Sequence, residues 1–226
     1  LYRPRTFMES PITKMQNPQP SKLAAFYELT KPGIVLYVAI TTGVGAFVGS
    51  RGSLQLWLAF HTILGTGITT AGALALNQYT ERDADRVMIR TRGRPIPSGR
   101  LSPRSALYFS QALLFSGLMY LTFTVSWLPA VIAAFSALIY EAVYTPLKSR
   151  SYGATLAGGV PGALPMLIGW SAATGMLEPA GFALFGITYL WQLPHVLALA
   201  WMLREDYRRV GFKLIPRGGG RIIGMH

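Results

Sequence analysis

The chain has 226 residues, of which 51% are hydrophobic and only 13% are charged. A soluble domain carries about a quarter charged residues, so this composition indicates a membrane protein. The formal net charge is +12, but the basic residues lie between long apolar segments. That placement argues against a nucleic-acid partner and favours contacts with lipid head groups or phosphorylated substrates. The absence of cysteine excludes a disulfide framework and a thiolate metal site.

Residues 1–31 form a basic, polar segment that contains several prolines. The segment lacks the apolar core and the small-residue cleavage site of a signal peptide. Its acidic residues and prolines also argue against a mitochondrial transit peptide. We therefore interpret residues 1–31 as a cytoplasmic segment that precedes the membrane domain.

Long uncharged runs follow in chain order. A transmembrane helix needs about 20 apolar residues, and the continuous runs do not alternate as the strands of a β-barrel do. The run over residues 105–140 is 36 residues long and is broken by "SWLP", so it is predicted to hold two short spans. The sequence thus predicts six spans in five uncharged runs, at residues 32–50, 52–80, 105–140, 151–177 and 179–203.

The distribution of basic residues agrees with this count. If the six spans alternate in direction, 20 of the 21 lysines and arginines lie on one side and only Arg51 lies on the other. Such a bias is the positive-inside signature, which predicts that both termini face the cytoplasm or the mitochondrial matrix. The loops on that side are long and charged, so we expect the functional site there.

The fifth span region, "YGATLAGGVPGALPMLIGWSAATG", is dense in small residues. Close packing between neighbouring membrane helices is the usual role of such residues. Pro161 and Pro165 are expected to bend this span, as happens where a helix borders a cavity. The packing prediction covers six glycines, Gly153, Gly158, Gly159, Gly162, Gly169 and Gly175.

The segment "NQYTERDAD" ends the second span with an unusual group of polar side chains. Asn77, Glu81 and Asp85 are spaced at i, i+4 and i+8, which places them on one face of a helix about 6 Å apart. Asp83 is expected to lie on another face. One amide and two carboxylates are hard oxygen ligands of the kind that Mg²⁺ prefers.

The next segment, "RVMIRTRGRP", supplies a group of arginines. Arginines beside Mg²⁺-binding carboxylates suit a diphosphate, whose charge they help to neutralise. The alternative is a solvated loop in which acids and arginines pair and set the topology. Acidic residues contribute little to topology, so we favour a site.

The stretch "NQYTERDADRVMIRTRGRPIPSGRLSP" resembles the Asn-x3-Asp/Glu-x3-Asp signature of the UbiA superfamily of intramembrane prenyltransferases. Within that superfamily it is most similar to the protoheme IX farnesyltransferases, also called heme O synthases. Three later segments share the resemblance, "YTPLKSR" at residues 144–150, "GALPMLIGWSAATG" at 162–175 and "WQLPHVLALAWMLREDYRRVGFKLIP" at 191–216.

The resemblance implies an all-α, polytopic transmembrane bundle that surrounds a central cavity. The family has nine helices, so a domain over residues 32–216 with six spans would lack the last three, and residues 217–226 would be a polar tail. The implied reaction is Mg²⁺-dependent transfer of a farnesyl group from farnesyl diphosphate to a vinyl group of heme B. The product would be heme O, a precursor in cytochrome oxidase cofactor biosynthesis.

The resemblance also implies roles for individual residues. Asp206 stands where the superfamily has a second acidic motif, but Val210 replaces the second Asp of that motif, so a second Mg²⁺ is less expected. His195 matches the family's Pro-His pair and is expected to contact heme. The predicted catalytic residues are Asn77, Glu81, Asp83, Asp85 and Asp206, of which all but Asp83 are predicted metal ligands. The predicted diphosphate-binding residues are Arg90, Arg94, Lys148 and Arg150.

The expected partners are farnesyl diphosphate, heme B, membrane lipid and a downstream heme A synthase. The expected location is the bacterial inner membrane, with the mitochondrial inner membrane as the alternative. Three other functions remain open on sequence alone. They are a related prenyltransferase with an aromatic or chlorophyll-like acceptor, a transporter or assembly factor, and an inactive truncated relative.

Overall fold

The computed structural model describes residues 21–214, and all regular structure in that range is helical. Six helical segments are long and apolar enough to cross a membrane, which confirms the predicted number of spans. One of them, Trp127–Arg150, joins three elements without a break. The elements are α1 (Lys22–Leu29), α2 (Pro32–Gly49), α3 (Leu56–Thr80), α4 (Arg82–Val87), α5 (Pro103–Thr124), α6 (Trp127–Leu138), a π-helix (Ile139–Tyr144), α7 (Thr145–Arg150), α8 (Ala154–Thr174), α9 (Pro179–Met202) and α10 (Arg204–Arg209).

Local sequence signals account for several helix ends. Proline occupies the first helical position of α2, α5 and α9, where its missing N–H costs nothing. The Ser102 side chain caps α5 by accepting a hydrogen bond from the Ser105 N–H at 3.1 Å. Gly175 ends α8 with φ of 74°, a left-handed conformation that favours glycine.

The spans alternate in direction, so the bundle has two distinct ends. At one end Lys148 pairs with Glu81 and Arg100 pairs with Glu28, which joins the loops on that side. At the other end Arg51 pairs with Glu178 at 2.8 Å across two short connections. We call the first the charged end, because it gathers the segments between α3 and α5, between α7 and α8, and after α9.

Glycines allow two pairs of helices to approach closely. A Cβ added at Gly45 or Gly169 would overlap the backbone of the facing helix, so α2 and α8 pack main chain against main chain. Gly72 and Gly117 serve the same purpose between α3 and α5. Membrane helices lack a hydrophobic driving force for association within lipid, so such close packing is what holds them together.

The six glycines predicted to pack closely divide into two groups. Gly158, Gly159 and Gly162 face Tyr144, Tyr189 and Gln192 at distances that leave no room for a Cβ, and Gly169 is described above. The prediction is wrong for Gly153, whose nearest neighbour is the Ser151 hydroxyl of its own turn, and for Gly175, which has open space and serves as the helix cap.

The loop between α4 and α5 is compact and anchored. Ile96 is buried in a cluster with Leu29 of α1 and Ala75 of α3. The Gln78 side chain donates to the Leu29 carbonyl at 2.8 Å and ties α1 to α3. These contacts fix the arginine-rich loop over the charged end of the bundle.

Candidate active site

A cavity of about 840 Å³ lies at the centre of the bundle and extends to the charged end. This volume is near the upper end of the range for small-molecule sites, roughly 300–1,000 Å³. Most of its depth is apolar, with Ala73, Ala133 and Ile168 among the lining residues. Pro161 and Pro165 also line it from within α8, as predicted for a helix that borders a cavity. Within residues 21–214, the charged residues that line it lie together at one end, namely Glu28, Lys31, Glu81, Asp85, Arg90, Arg94 and Lys148.

Glu81 is the junction between α3 and α4 and faces this cavity. Its N–H donates to the Asn77 carbonyl and its own carbonyl accepts from the Asp85 N–H, so the helical register nearly continues through the junction. Asn77, Glu81 and Asp85 therefore line the same cavity, in agreement with their i, i+4, i+8 spacing. The Glu81 carboxylate accepts from Lys148 at 2.7 Å, and both side chains are at most 10% exposed.

Asp85 is completely buried and pairs with Arg94. One guanidinium nitrogen lies 2.7 Å from each carboxylate oxygen. The Thr91 hydroxyl donates to the Asp85 carbonyl at 3.1 Å and keeps the intervening loop folded back. The "DADRVMIRTRGR" segment thus returns its own arginine to its own carboxylate at the cavity wall.

Asn77 is 1% exposed and lies one helical turn before Glu81 on α3, so it is farther from the charged end than Glu81 and Asp85. Its amide oxygen accepts from the Tyr140 hydroxyl at 3.3 Å, and its amide nitrogen donates to the Thr145 hydroxyl at 3.0 Å. Both partners belong to the π-helix and its C-terminal end.

The chemistry of this donor set fits Mg²⁺. Two carboxylates and one amide oxygen reach the cavity, and Mg²⁺ ordinarily completes its shell with water and substrate phosphate oxygens. Residues 21–214 contain no group of three or more histidine, cysteine, aspartate or glutamate side chains arranged to hold a metal by themselves. Asn77, Glu81 and Asp85 are thus the residues that could hold Mg²⁺ together with a phosphorylated substrate.

Asp83 and Arg150 do not reach the cavity. The Asp83 side chain is 69% exposed and pairs with Arg86 at 3.1 Å on the outer face of α4, as the helical spacing predicts. Arg150 is exposed at the end of α7, and its carbonyl accepts a hydrogen bond from the Lys213 ammonium group. The structure brings neither side chain to the other predicted site residues.

Asp206, the predicted metal ligand in the second charged segment (residues 204–213), contacts the first charged segment (residues 81–94) and is not part of the cavity lining. Its two carboxylate oxygens accept from the backbone N–H groups of Ile89 and Arg90 at 3.0 and 3.1 Å. The hydrogen bond from the Arg90 N–H is the main cause that lowers the pKa of the Asp206 carboxyl, and the bond from the Ile89 N–H adds to it. Asp206 therefore fixes the backbone that carries Arg90, and Arg90 itself lines the cavity.

His195 lines an open side of the cavity on α9. Its ring stacks on Trp191, with centroids 5.2 Å apart and planes 10° apart. Both rings are exposed, and Trp191 also stacks against Tyr37 of α2 at 6.4 Å. A planar apolar ligand could reach the cavity between α2 and α9 past these aromatic rings.

Several residues that line the cavity were not predicted as site residues from the sequence. Lys31 precedes α2 with φ of 51° and joins the cations at the charged end. Burial, together with the positive charges of Arg94 and Lys148, lowers the pKa of Lys31 to about 7. Tyr207 and Phe212 close the same end from the second charged segment, where burial raises the pKa of Tyr207. In the sequence, the one feature that indicates where Lys31 lies is its position directly before Pro32, at the start of a helix.

Comparison with known proteins identifies the family. The UbiA prenyltransferase family matches residues 38–221. The chain is 43% identical to a protoheme IX farnesyltransferase of Solibacter usitatus over 84% of this chain and 68% of that protein. It is 44% identical to one of Aquifex aeolicus over 86% and 67%, and 41% identical to one of Trichodesmium erythraeum over 85% and 59%. The chain thus spans roughly two thirds or less of the length of these relatives.

Two solved structures share the fold. One is of a digeranylgeranylglyceryl phosphate synthase, with a TM-score of 0.72, 20% identity and coverage of 84% of this chain and 67% of that one. The other is a UbiA homologue from Archaeoglobus fulgidus bound to DMAPP and Mg²⁺, with a TM-score of 0.66, 19% identity and the same coverage. The family match over residues 38–221 and the curated relatives, together with six helices long and apolar enough to span a membrane, show that the chain is an integral membrane protein of the UbiA prenyltransferase family.

Proposed function

We propose that the protein transfers a farnesyl group from farnesyl diphosphate to a vinyl group of heme B and so produces heme O. The observation that carries the proposal is the cavity, which joins a charged end to a long apolar interior. A prenyl diphosphate has the same division into a charged head and an apolar chain. The curated relatives named protoheme IX farnesyltransferases support the choice of donor and acceptor.

The charged end is suited to receive the diphosphate. Arg90, Arg94 and Lys148 line it beside the carboxylates of Glu81 and Asp85. When bound, Mg²⁺ would supply positive charge that neutralises the phosphate oxygens, and Asn77, Glu81 and Asp85 would hold it. The lysine and arginine that now pair with these carboxylates are positioned to donate to phosphate oxygens.

The proposed reaction begins with heterolysis of the bond between C1 of the farnesyl chain and the diphosphate oxygen, and the electron pair leaves with diphosphate. The vinyl π electrons of heme B then form the new carbon–carbon bond. Water adds to the resulting cation beside the porphyrin ring and loses a proton, which gives a hydroxyl group. The cations at the charged end stabilise the leaving group, and the apolar interior keeps water from the first cation.

His195 and Trp191 support a flat, apolar acceptor. Their stacked rings line the open side of the cavity between α2 and α9. We propose that heme B enters there and that His195 contacts it. Charge clustered at one end of the bundle also disfavours the transporter alternative, since transporters place such groups near the membrane midplane.

We further propose that Mg²⁺ is required and that the charged end faces the cytoplasm of a bacterial inner membrane. The excess of basic residues at that end supports the orientation. A heme A synthase is the proposed consumer of the product. Glu81 and Asp85 remain proposed Mg²⁺ ligands. Asp83, Asp206 and Arg150 lie outside the cavity lining, and we do not propose that they contact Mg²⁺ or the diphosphate.

The test is incubation of membranes that contain the full-length gene product with heme B, farnesyl diphosphate and Mg²⁺, followed by mass spectrometry of extracted heme. We expect a heme whose mass has increased by one farnesyl group and one hydroxyl group. Unmodified heme, with farnesyl transfer to an aromatic acceptor in a parallel panel, would instead assign the protein to a related prenyltransferase.

A further inference from the structure

The side-chain amide of Asn77 has two different ends, and only one of them can bind a cation. The oxygen accepts hydrogen bonds or binds a metal, whereas the nitrogen only donates. The two atoms look alike by shape, so their assignment has to come from the hydrogen-bond partners. In this protein the partners of Asn77 fix the assignment.

The Thr145 hydroxyl determines which end of the amide it faces. Its oxygen lies 2.9 Å from the Tyr140 carbonyl, and because a carbonyl can only accept, the single hydroxyl proton is committed to that bond. The hydroxyl can then only accept from Asn77, 3.0 Å away. The Asn77 nitrogen must therefore face Thr145, and its oxygen must face the other way.

The π-helix makes the Tyr140 carbonyl available at this place. The Thr145 N–H donates to the Tyr140 carbonyl across five residues instead of the four of an α-helix. Backbone and hydroxyl of Thr145 thus both donate to the same carbonyl, which holds the side chain in one orientation. Short π-helical segments inside α-helices are often found at functional sites.

The opposite end of the amide faces the cavity. Asn77 and Tyr140 line the cavity, whereas Thr145 is buried and lies behind them in the structure of residues 21–214. The Tyr140 hydroxyl donates to the Asn77 oxygen at 3.3 Å, which is long for this kind of bond. One lone pair of the Asn77 oxygen is left for a ligand.

We propose that Thr145 is a positioning residue that directs the Asn77 amide oxygen into the cavity, where the oxygen can bind a divalent cation together with a prenyl diphosphate. Thr145 itself does not touch the ligand. The inference rests on the proposed function, since it assigns a purpose to the Asn77 oxygen in that same site. It goes further because it names the residue behind the site that determines which end of the Asn77 amide faces the cavity.

The test uses variants that change the hydrogen bond without changing shape. Thr145→Val removes the hydroxyl at nearly equal volume, and Thr145→Ser retains it. Asn77→Asp replaces the amide by a carboxylate, whose two oxygens are equivalent, so its orientation no longer matters. The double variant Asn77→Asp with Thr145→Val completes the cycle.

The measured quantity is the Mg²⁺ concentration that gives half-maximal binding of farnesyl diphosphate to the purified full-length protein in lipid nanodiscs. Loss of a hydrogen bond behind a metal ligand costs about 10- to 100-fold in metal affinity. We expect Thr145→Val to raise this concentration at least about tenfold and Thr145→Ser to stay within about threefold of wild type. In the Asn77→Asp background, Thr145→Val is expected to change it by less than about twofold.

Two outcomes would overturn the inference and leave the proposed function intact. Wild-type Mg²⁺ dependence in Thr145→Val would show that the hydroxyl does not matter. An equal loss from Thr145→Val in the wild-type and Asn77→Asp backgrounds would assign Thr145 a merely structural role, which thermal melting of each variant would register. Wild-type protein that binds farnesyl diphosphate without any Mg²⁺ dependence would instead refute the metal part of the proposed function, and the inference with it.

Discussion

The two acidic segments at the charged end look alike in sequence but are used differently in the structure. In the first, Glu81 and Asp85 line the cavity and are paired with cations that line it too. In the second, Asp206 turns away and accepts from the backbone N–H groups at residues 89 and 90 of the first segment. The first segment therefore carries the candidate site, and the second one supports it.

This difference follows from what each carboxylate meets. One backbone N–H donates to each oxygen of Asp206, which holds the carboxylate against residues 89 and 90 and outside the cavity lining. Glu81 and Asp85 meet side-chain cations, which can exchange partners when a phosphate group arrives. The role of an acidic residue near a membrane surface can therefore be inferred only when the groups that donate hydrogen bonds to it are known.

The largest expected effect is loss of one carboxylate of the first segment. Glu81→Gln or Asp85→Asn should lower the rate of farnesyl transfer on the order of 100-fold or more. Each substitution removes a carboxylate that holds the positive charge needed to stabilise the leaving diphosphate. Asp83→Asn is the matched control, since it makes the same chemical change on the exposed face of α4. Its rate should stay near wild type, with all three variants inserted in the membrane to the same extent.

The second effect separates two cations of α7. Lys148→Met leaves the Glu81 carboxylate buried without a partner, which costs about 3–5 kcal/mol in comparable pairs, and should raise KM for farnesyl diphosphate about tenfold. Arg150→Met changes an exposed residue two positions later and should do neither. Equal effects of the two substitutions on KM and thermal stability would contradict the geometry.

The third effect tests the support given by the second segment. Asp206→Ala removes both acceptors of the residue 89 and 90 N–H groups, so those amides should exchange with deuterium faster, and KM should rise roughly 3- to 10-fold. Glu205→Ala is the control, because Glu205 pairs only with neighbouring arginines on the exposed side within the described part of the chain. Unchanged exchange at residues 89 and 90 in Asp206→Ala would show that the contact is not formed in the membrane.

The smallest effect is a pH dependence from Lys31. Its pKa of about 7 lies far below the usual value, so its ammonium is charged below pH 7 and loses its proton as pH rises through 7. Affinity for a diphosphate anion should therefore fall about 3- to 10-fold between pH 6 and 8.5 in wild type. Lys31→Arg should remove this contribution, while titration of the ligand itself affects both proteins equally. A pH profile identical in the two proteins would exclude Lys31 from the site.

Most of the fold could be predicted from the sequence, because uncharged runs and one-sided basic residues determine the spans directly. The i, i+4, i+8 spacing also placed Asn77, Glu81 and Asp85 on one cavity wall, since it is a local property of one nearly continuous helix. Asp83 was correctly expected on another face by the same spacing.

Long-range contacts could not be predicted in this way. The sequence does not show that Asp206 reaches a backbone segment 116 residues away, because nothing local distinguishes a metal ligand from a carboxylate that binds N–H groups. Lys31 and Thr145 were missed for a related reason. Lys31 enters the site through a left-handed backbone conformation, and Thr145 through a π-helix, and neither follows from helical periodicity.

The most direct test of the division between the two segments is a Mg²⁺ titration of farnesyl diphosphate binding in wild type, Asp85→Asn and Asp206→Asn. We expect Asp85→Asn to abolish the Mg²⁺ dependence. Asp206→Asn should keep the wild-type half-maximal Mg²⁺ concentration, with at most a modest loss of affinity, because its amide oxygen can still accept one N–H. A shift of the Mg²⁺ midpoint in Asp206→Asn as large as that in Asp85→Asn would contradict the account and make Asp206 a metal ligand.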